Sequence, residues 1–151
     1  MKKIHLDTDL GGDTDDLCAL AMLLKWPDGQ ITGVTTNTET EAKRAGYTKY
    51  ALKVAGRENI PVKAGADISS GYFRGQPGLP KESDYWPESI PPSPNPLDEA
   101  LELLKTSIEQ EAIVIGIGAF TNFFLLDQKH PGILKKAKLF LIKIFYMHSM
   151  R

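Results

Sequence analysis

The amino-acid sequence predicts an α/β protein built on a mostly parallel sheet with helices on both faces. Two observations carry this. Short β-prone runs alternate with helix-length amphipathic runs along most of the chain, the pattern of strands joined by helical crossovers. A loop rich in Asp and Gly lies where the first strand hands over to the first helix, the usual ligand edge of an open α/β sheet.

The elements follow in order. Residues 3–8 form a β-prone run that ends in a glycine-rich turn. Residues 15–25 carry Leu17, Leu20, Ala21 and Leu24 at helical period. Trp26-Pro27-Asp28-Gly29 closes that helix, because proline cannot continue it and glycine serves the exit. Residues 30–36 read as the second strand, and 39–55 as a helix with Ala42, Ala45, Leu52 and Ala55 inward, ended by Gly56. A third strand is expected over 60–64. Asn95-Pro96 has the form of an N-cap followed by proline at the first helical position, opening a helix over 97–109. Residues 111–117 read as a fourth strand, 121–128 as a short helix and 138–145 as a fifth strand. The succession is Rossmann-like, and its length suits a single domain over 1–151. One stretch breaks the rhythm. Residues 67–94 are rich in Gly, Pro and Ser, carry Tyr72, Phe73, Tyr85 and Trp86, and show no period. A loop of this length is either a functional lid or a surface excursion whose aromatics pack on the body.

Composition narrows the function classes. Hydrophobic residues make up 42% and charged residues 25%, ordinary values that exclude disordered and fibrous chains. A net charge of −1 with scattered basic residues leaves no nucleic-acid footprint. Apolar runs such as 113–117 and 139–142 are too short to span a bilayer. Asp7 and its followers fall where a signal peptide needs an apolar core. Cys18, the only cysteine, excludes an internal disulfide, fits a reducing cytoplasm and reads as a small buried helix residue. His5 and His130 read as structural.

The segment that carries chemistry is Asp7-Thr8-Asp9-Leu10-Gly11-Gly12-Asp13-Thr14-Asp15-Asp16. Strand alternation sends Asp7 and Asp9 to one side. The glycines allow a tight turn, and Asp15 and Asp16 fall at a helix start, where the positive dipole end stabilises negative charge. Five carboxylates this close repel one another. A divalent cation is the simplest remedy, and all-oxygen ligands favour Ca²⁺ or Mg²⁺. The bland alternative is a solvated turn in which Asp13 or Thr14 caps the helix. An EF-hand is excluded, because Gly11 and Cys18 stand where that loop needs ligand oxygens. Both common phosphate-loop patterns are absent.

The stretch 7–20, DTDLGGDTDDLCAL, resembles the amino-terminal signature of the inosine-uridine preferring nucleoside hydrolases, in the branch with one extra residue before the paired aspartates. The stretches 31–36, ITGVTT, and 113–122, IVIGIGAFTN, are similar to that family's second strand and its x-G-P-L-T-N turn, and 130–136 is also family-like. The resemblance reaches to about Leu141. It implies the nucleoside hydrolase fold, here incomplete, and a Ca²⁺ ion held by Asp9, Asp16 and the Ile117 carbonyl. Asp9 would also be the general base that takes a proton from a calcium-bound water. Asp15 would accept a hydrogen bond from a ribose hydroxyl, and Asp7 would support from behind. The reaction implied is hydrolysis of a ribonucleoside N-glycosidic bond through an oxocarbenium-like transition state.

Two departures qualify the expectation. The family places an Asn or Asp after the second strand to contact substrate. In Thr35-Thr36-Asn37-Thr38-Glu39 either Asn37 or Glu39 fills that role, or Asn37 or Thr38 caps a helix before Glu41. From residue 137 on, the sequence AKLFLIKIFYMHSMR lacks the expected glycines, and His148 does not match the family's leaving-group acid. The short form is therefore expected to be weakly active or inactive, and to associate as a homo-oligomer through an exposed last strand. Two other functions compete: a haloacid-dehalogenase-like Mg²⁺ phosphatase with D-x-D after the first strand, and a non-catalytic binding remnant.

Overall fold

The computed structural model describes residues 1–67 and 79–141. Five parallel strands form one sheet: β1 (Lys2–Thr8), β2 (Gly29–Thr36), β3 (Val62–Ala64), β4 (Ile113–Gly116) and β5 (Lys138–Leu141). Their order is β3-β2-β1-β4-β5, so the direction of winding reverses between β1 and β4. Ligands of open α/β sheets bind at such a switch point, beyond the carboxyl ends of the strands. Helices α1 (Asp15–Lys25) and α2 (Lys43–Val54) cover one face. Leu6, Leu10, Leu20, Leu23, Val34 and Leu52 are buried there. Helices α3 (Leu97–Glu109) and α4 (Thr121–Lys129) cover the other, where Leu104, Ile108, Val114, Phe123 and Leu126 pack. The expected α/β architecture is present, with α1 and α3 at their predicted bounds. The part of the fifth strand expected beyond Leu141, and His148, lie outside the described residues, as do Tyr72 and Phe73.

Several local expectations need correction. The inward face of α1 is Asp16, Leu20 and Leu23, while Leu17 and Ala21 are exposed. Helical period is kept, but the stripe is turned because Asp16 is drawn inward by a hydrogen bond from the Thr8 hydroxyl. The same rotation puts Cys18 on the surface instead of in the core.

The helix expected from residue 39 begins at Lys43. Thr38, Glu41 and Ala42 have φ of 53°, 50° and 59°, left-handed values that no helix can contain. Ala55, expected inward, is exposed past the end of that helix. Neither Asn37 nor Thr38 caps α2. The Glu39 carboxylate does so from outside, accepting the amides of Arg44 at 3.2 Å and Ala45 at 2.9 Å.

Asn95 does not cap α3 either. Its amide pairs with Ala64, accepting from the backbone N–H at 2.7 Å and donating to the carbonyl at 3.0 Å. It thus satisfies the free edge of β3 as a neighbouring strand would.

The described part of the irregular stretch packs on the body. Ile90 is buried, and Trp86 stacks on Tyr47 with centroids 4.8 Å apart and rings inclined by 9°. Glu82 accepts from Lys43, Ser89 and the Ile90 amide, and these donors hold its carboxyl down at about 2.

Candidate active site

The acidic loop leaves β1 at its carboxyl end and turns back into α1. Leu10 plugs the turn into the core. Gly11 has φ +131°, and a Cβ there would lie 2.4 Å from the Tyr47 ring, so conformation and space both require glycine. The Thr8 hydroxyl donates to Asp16 at 2.5 Å and accepts the Leu10 amide at 3.2 Å, which ties the first turn of α1 to the strand end. From the opposite side comes the turn after β4. A Cβ on Gly118 would sit 2.8 Å from an Asp9 carboxylate oxygen and 2.5 Å from Asn37 Oδ1. The strand-end turn can approach Asp9 only because it is glycine.

Beneath this loop Asp7 is fully buried. Its Oδ1 accepts from Asn37 Nδ2 at 2.6 Å, and its Oδ2 accepts from the Thr35 hydroxyl at 2.6 Å and Asn122 Nδ2 at 2.7 Å. Asn122 also donates to the Thr36 carbonyl and accepts the Ala66 amide. Asn37 accepts the Ala119 amide at 3.0 Å. The Ile117 amide donates to the Asp7 carbonyl at 2.9 Å, which fixes the backbone just past β4. Burial pushes the Asp7 carboxyl up to about 6 against the pull of its three donors.

The rim is different in kind. Asp13, Asp15 and Asp16 bring carboxylate oxygens within 4.8 Å of one another, with Asp16 buried and the other two exposed. Burial raises Asp16 to about 7, and the charges of Asp9, Asp13 and Asp15 add to that against the Thr8 hydrogen bond. Desolvation, then the hydrogen bond and charge of Asp15, raise Asp13 to about 6. Asp9 is also raised by burial, while the Arg44 guanidinium opposes the rise. Such a set repels itself and offers only oxygen, the donor chemistry of a hard divalent cation. The residues present therefore fit a metal.

The sequence-predicted Asp9, Asp15, Asp16 and Ile117 all lie at this switch point, around the ends of β1 and β4. Asp13 joins them and was not singled out. Asn37 is fully buried, and Glu39 is 5% exposed and occupied with capping α2. Arg44 and Asn122 were missed. Arg44, 8% exposed, donates through Nε to the Thr38 carbonyl at 2.9 Å, and its charge bears on Asp9 and Asp13. As a lone basic residue near a helix start it carried no sequence signal. Asn122 did have one, since it closes the family-like AFTN stretch.

The profile of the inosine-uridine preferring nucleoside hydrolases matches residues 4–143. No curated protein matches the chain by sequence. Among solved structures, the plant nucleoside hydrolase PpNRh1 superposes with a TM-score of 0.70 at 22% identity, covering 93% of this chain and 47% of that one. The purine-preferring ribonucleoside hydrolase from Gardnerella vaginalis gives 0.67 at 18% identity, covering 93% and 48%. The inosine-uridine preferring nucleoside hydrolase from Bacillus anthracis gives 0.62 at 22%, covering 93% and 50%. The chain thus spans about half the length of these structures and shares their fold over that half. With its acidic loop at the switch point of a parallel sheet and the profile matched from Ile4 to Lys143, this chain belongs to the inosine-uridine preferring nucleoside hydrolase family.

Proposed function

We propose that the chain is a ribonucleoside N-glycosidase unit, carrying the metal- and ribose-binding part of the site and working slowly by itself. The observation that carries this reading is the self-repelling group of carboxylates at the switch point, above a buried carboxylate that is fully satisfied. Asp9, Asp16 and the Ile117 carbonyl would hold Ca²⁺, with Asp13 close enough to Asp16 to assist. When bound, such a cation acidifies water and orients sugar hydroxyls. Asp9 receives the proton of the attacking water; burial raises its carboxyl, and the Arg44 guanidinium opposes that rise. Asp15, exposed at the start of α1, accepts a hydrogen bond from a ribose hydroxyl. Asn37 and Glu39 act from behind, since both are buried and held by hydrogen bonds within the chain.

The phosphatase reading loses its support. It needs Asp7 as nucleophile, and Asp7 is inaccessible with both oxygens occupied.

The chain is further read as one domain, cytoplasmic, acting on small ribonucleosides and forming a homo-oligomer. Among the described residues β5 is the outermost strand, with Phe140 62% exposed, and Phe124 on α4 is 56% exposed. Among the described residues no helix is long and apolar enough to cross a membrane.

Calorimetry and turnover test the proposal together. Calcium should bind wild type and fail to bind Asp16→Ala. Inosine should turn over more slowly than p-nitrophenyl riboside by roughly two to four orders of magnitude, the usual worth of a general acid. Equal calcium binding in both proteins, or an unchanged residual rate in Asp9→Asn, would refute it. A monomeric mass by light scattering would refute the association.

A further inference from the structure

His5 lies in the middle of the central strand, fully buried, and no step of the proposed chemistry uses it. The sheet makes room for it in two ways. Between Ile4 and His5 the β1–β2 register slips, so that Ile4 pairs with Ile31 but His5 pairs with Gly33. Thr32 is the extra residue, and its hydroxyl donates to the Ile4 carbonyl at 3.1 Å. A side chain at the position opposite the ring would be crowded, since a Cβ on Gly33 would lie 3.2 Å from His5 Nδ1 and 3.1 Å from Leu103. In this slot Nδ1 lies 2.8 Å from Ser107 Oγ on α3, and Nε2 lies 3.0 Å from Thr35 Oγ1 on β2.

Counting protons fixes every direction in the network. Asn37 and Asn122 each use Oδ1 to accept a backbone N–H, from Ala119 and Ala66, so each must present Nδ2 to Asp7. With an amide donor on each oxygen Asp7 is an acceptor, and the single hydroxyl proton of Thr35 goes to it. Thr35 can then only accept from His5, so Nε2 carries the ring proton. Burial forces His5 down to about 3, so the ring is neutral and Nδ1 is a lone pair that accepts from Ser107.

We infer that His5 is a positioning residue: held as the Nε2–H tautomer, it links Ser107 through Thr35 to Asp7 and sets the pose of the carboxylate under the acidic loop. All three bonds point the same way, each donor polarised by the next, and the chain ends on a fully buried carboxylate. The carboxylate in turn holds, through Asn37, the Ala119 amide, beside the point where the Asp7 main-chain carbonyl accepts the Ile117 amide. The relay therefore connects α3 to the ligand edge along the α3 face of the sheet. Its link to metal binding rests on the proposed function, but its protonation pattern does not.

Long-range ¹H–¹⁵N correlation spectra of the full chain test the pattern. His5 should show the Nε2–H tautomer and stay uncharged from pH 5 to 8. Thr35→Val, equal in shape but without the acceptor, should move the Nε2 resonance, and Thr35→Ser should restore it. An Nδ1–H tautomer, titration in that range, or a Thr35→Val spectrum like wild type would each overturn the inference. Calorimetry with calcium then reads the positioning, with Thr35→Val expected to weaken binding roughly ten- to a hundredfold, as loss of a supporting partner does, and Thr35→Ser to retain it. Equal affinities would refute the positioning role. A wild type that binds no calcium would sink the proposed function, and the spectra would still decide the relay.

Discussion

The carboxylates of this site divide into a floor and a rim, and the two are built on opposite principles. On the floor Asp7 has no solvent and three donors, each held by other bonds. At the rim Asp13, Asp15 and Asp16 face one another with far less to hold them, the Thr8 hydroxyl being the side-chain donor that Asp16 receives. The contrast shows where the protein finishes its own structure and where it leaves charge for something else to neutralise. Burial alone does not distinguish them, because Asp16 is also buried. The supply of donors does.

Substitutions should therefore act with opposite sign in the two places. The largest effect is expected on the floor. Asp7→Ala strands the Thr35 hydroxyl and two amide donors in a dry pocket, and should lower the unfolding free energy by about 3–5 kcal/mol in urea titrations. A loss below about 1 kcal/mol would mean that the donors find other partners and the floor is not specially built.

At the rim, Asp16→Asn keeps an acceptor for the Thr8 hydroxyl and removes charge. Without metal at pH 7.5 it should melt a few degrees above wild type, since a ΔΔG of about 1 kcal/mol moves a domain of this size by that much. Added calcium should raise the melting temperature of wild type alone. A lower melting point for the metal-free variant would place Asp16 with the floor.

The smallest effect is the pH dependence. The folded values of Asp13 and Asp16 lie above the ordinary carboxylate value, at about 6 and about 7. The folded chain thus binds more protons than the unfolded chain. Their contribution is fully present below about pH 4 and is lost as pH rises through 6 and 7. Metal-free melting temperature should fall from pH 5 to pH 8, and millimolar calcium should remove the slope. A slope of the opposite sign would contradict the rim's self-repulsion.

The same division decides what could be read from sequence. Helices α1 and α3 were legible to the residue, because apolar period and the Pro and Gly signals act locally. The acidic loop was legible as a cluster of carboxylates at the ligand edge of the sheet, through its spacing and the family-like signature. The floor was not. Asp7 and Asn122 are 115 positions apart, and nothing local in either stretch records that they meet. The inward face of α1 was misread because a carboxylate takes the place that period assigns to an apolar residue. The start of α2 was misread because three left-handed residues postpone it, and none of them is glycine. Local rules recover elements, and they fail where a polar group is recruited by a distant partner.

The extra residue in β2 has a consequence for reading or redesigning this strand. Ile31 and Val34 share the face of α1 and α2 although they stand three apart, an odd spacing that strict two-residue alternation forbids. Thr32 acts as a phase shifter: residues before it keep one parity of inward positions and residues after it keep the other. Deleting it would set Ile31 and Val34 two apart and restore plain alternation, whereas keeping it without the slip would send either Ile31 or both Val34 and Thr35 to the wrong layer. A design that treated the strand as evenly alternating would thus invert its chemistry while leaving its hydrogen-bond ladder intact.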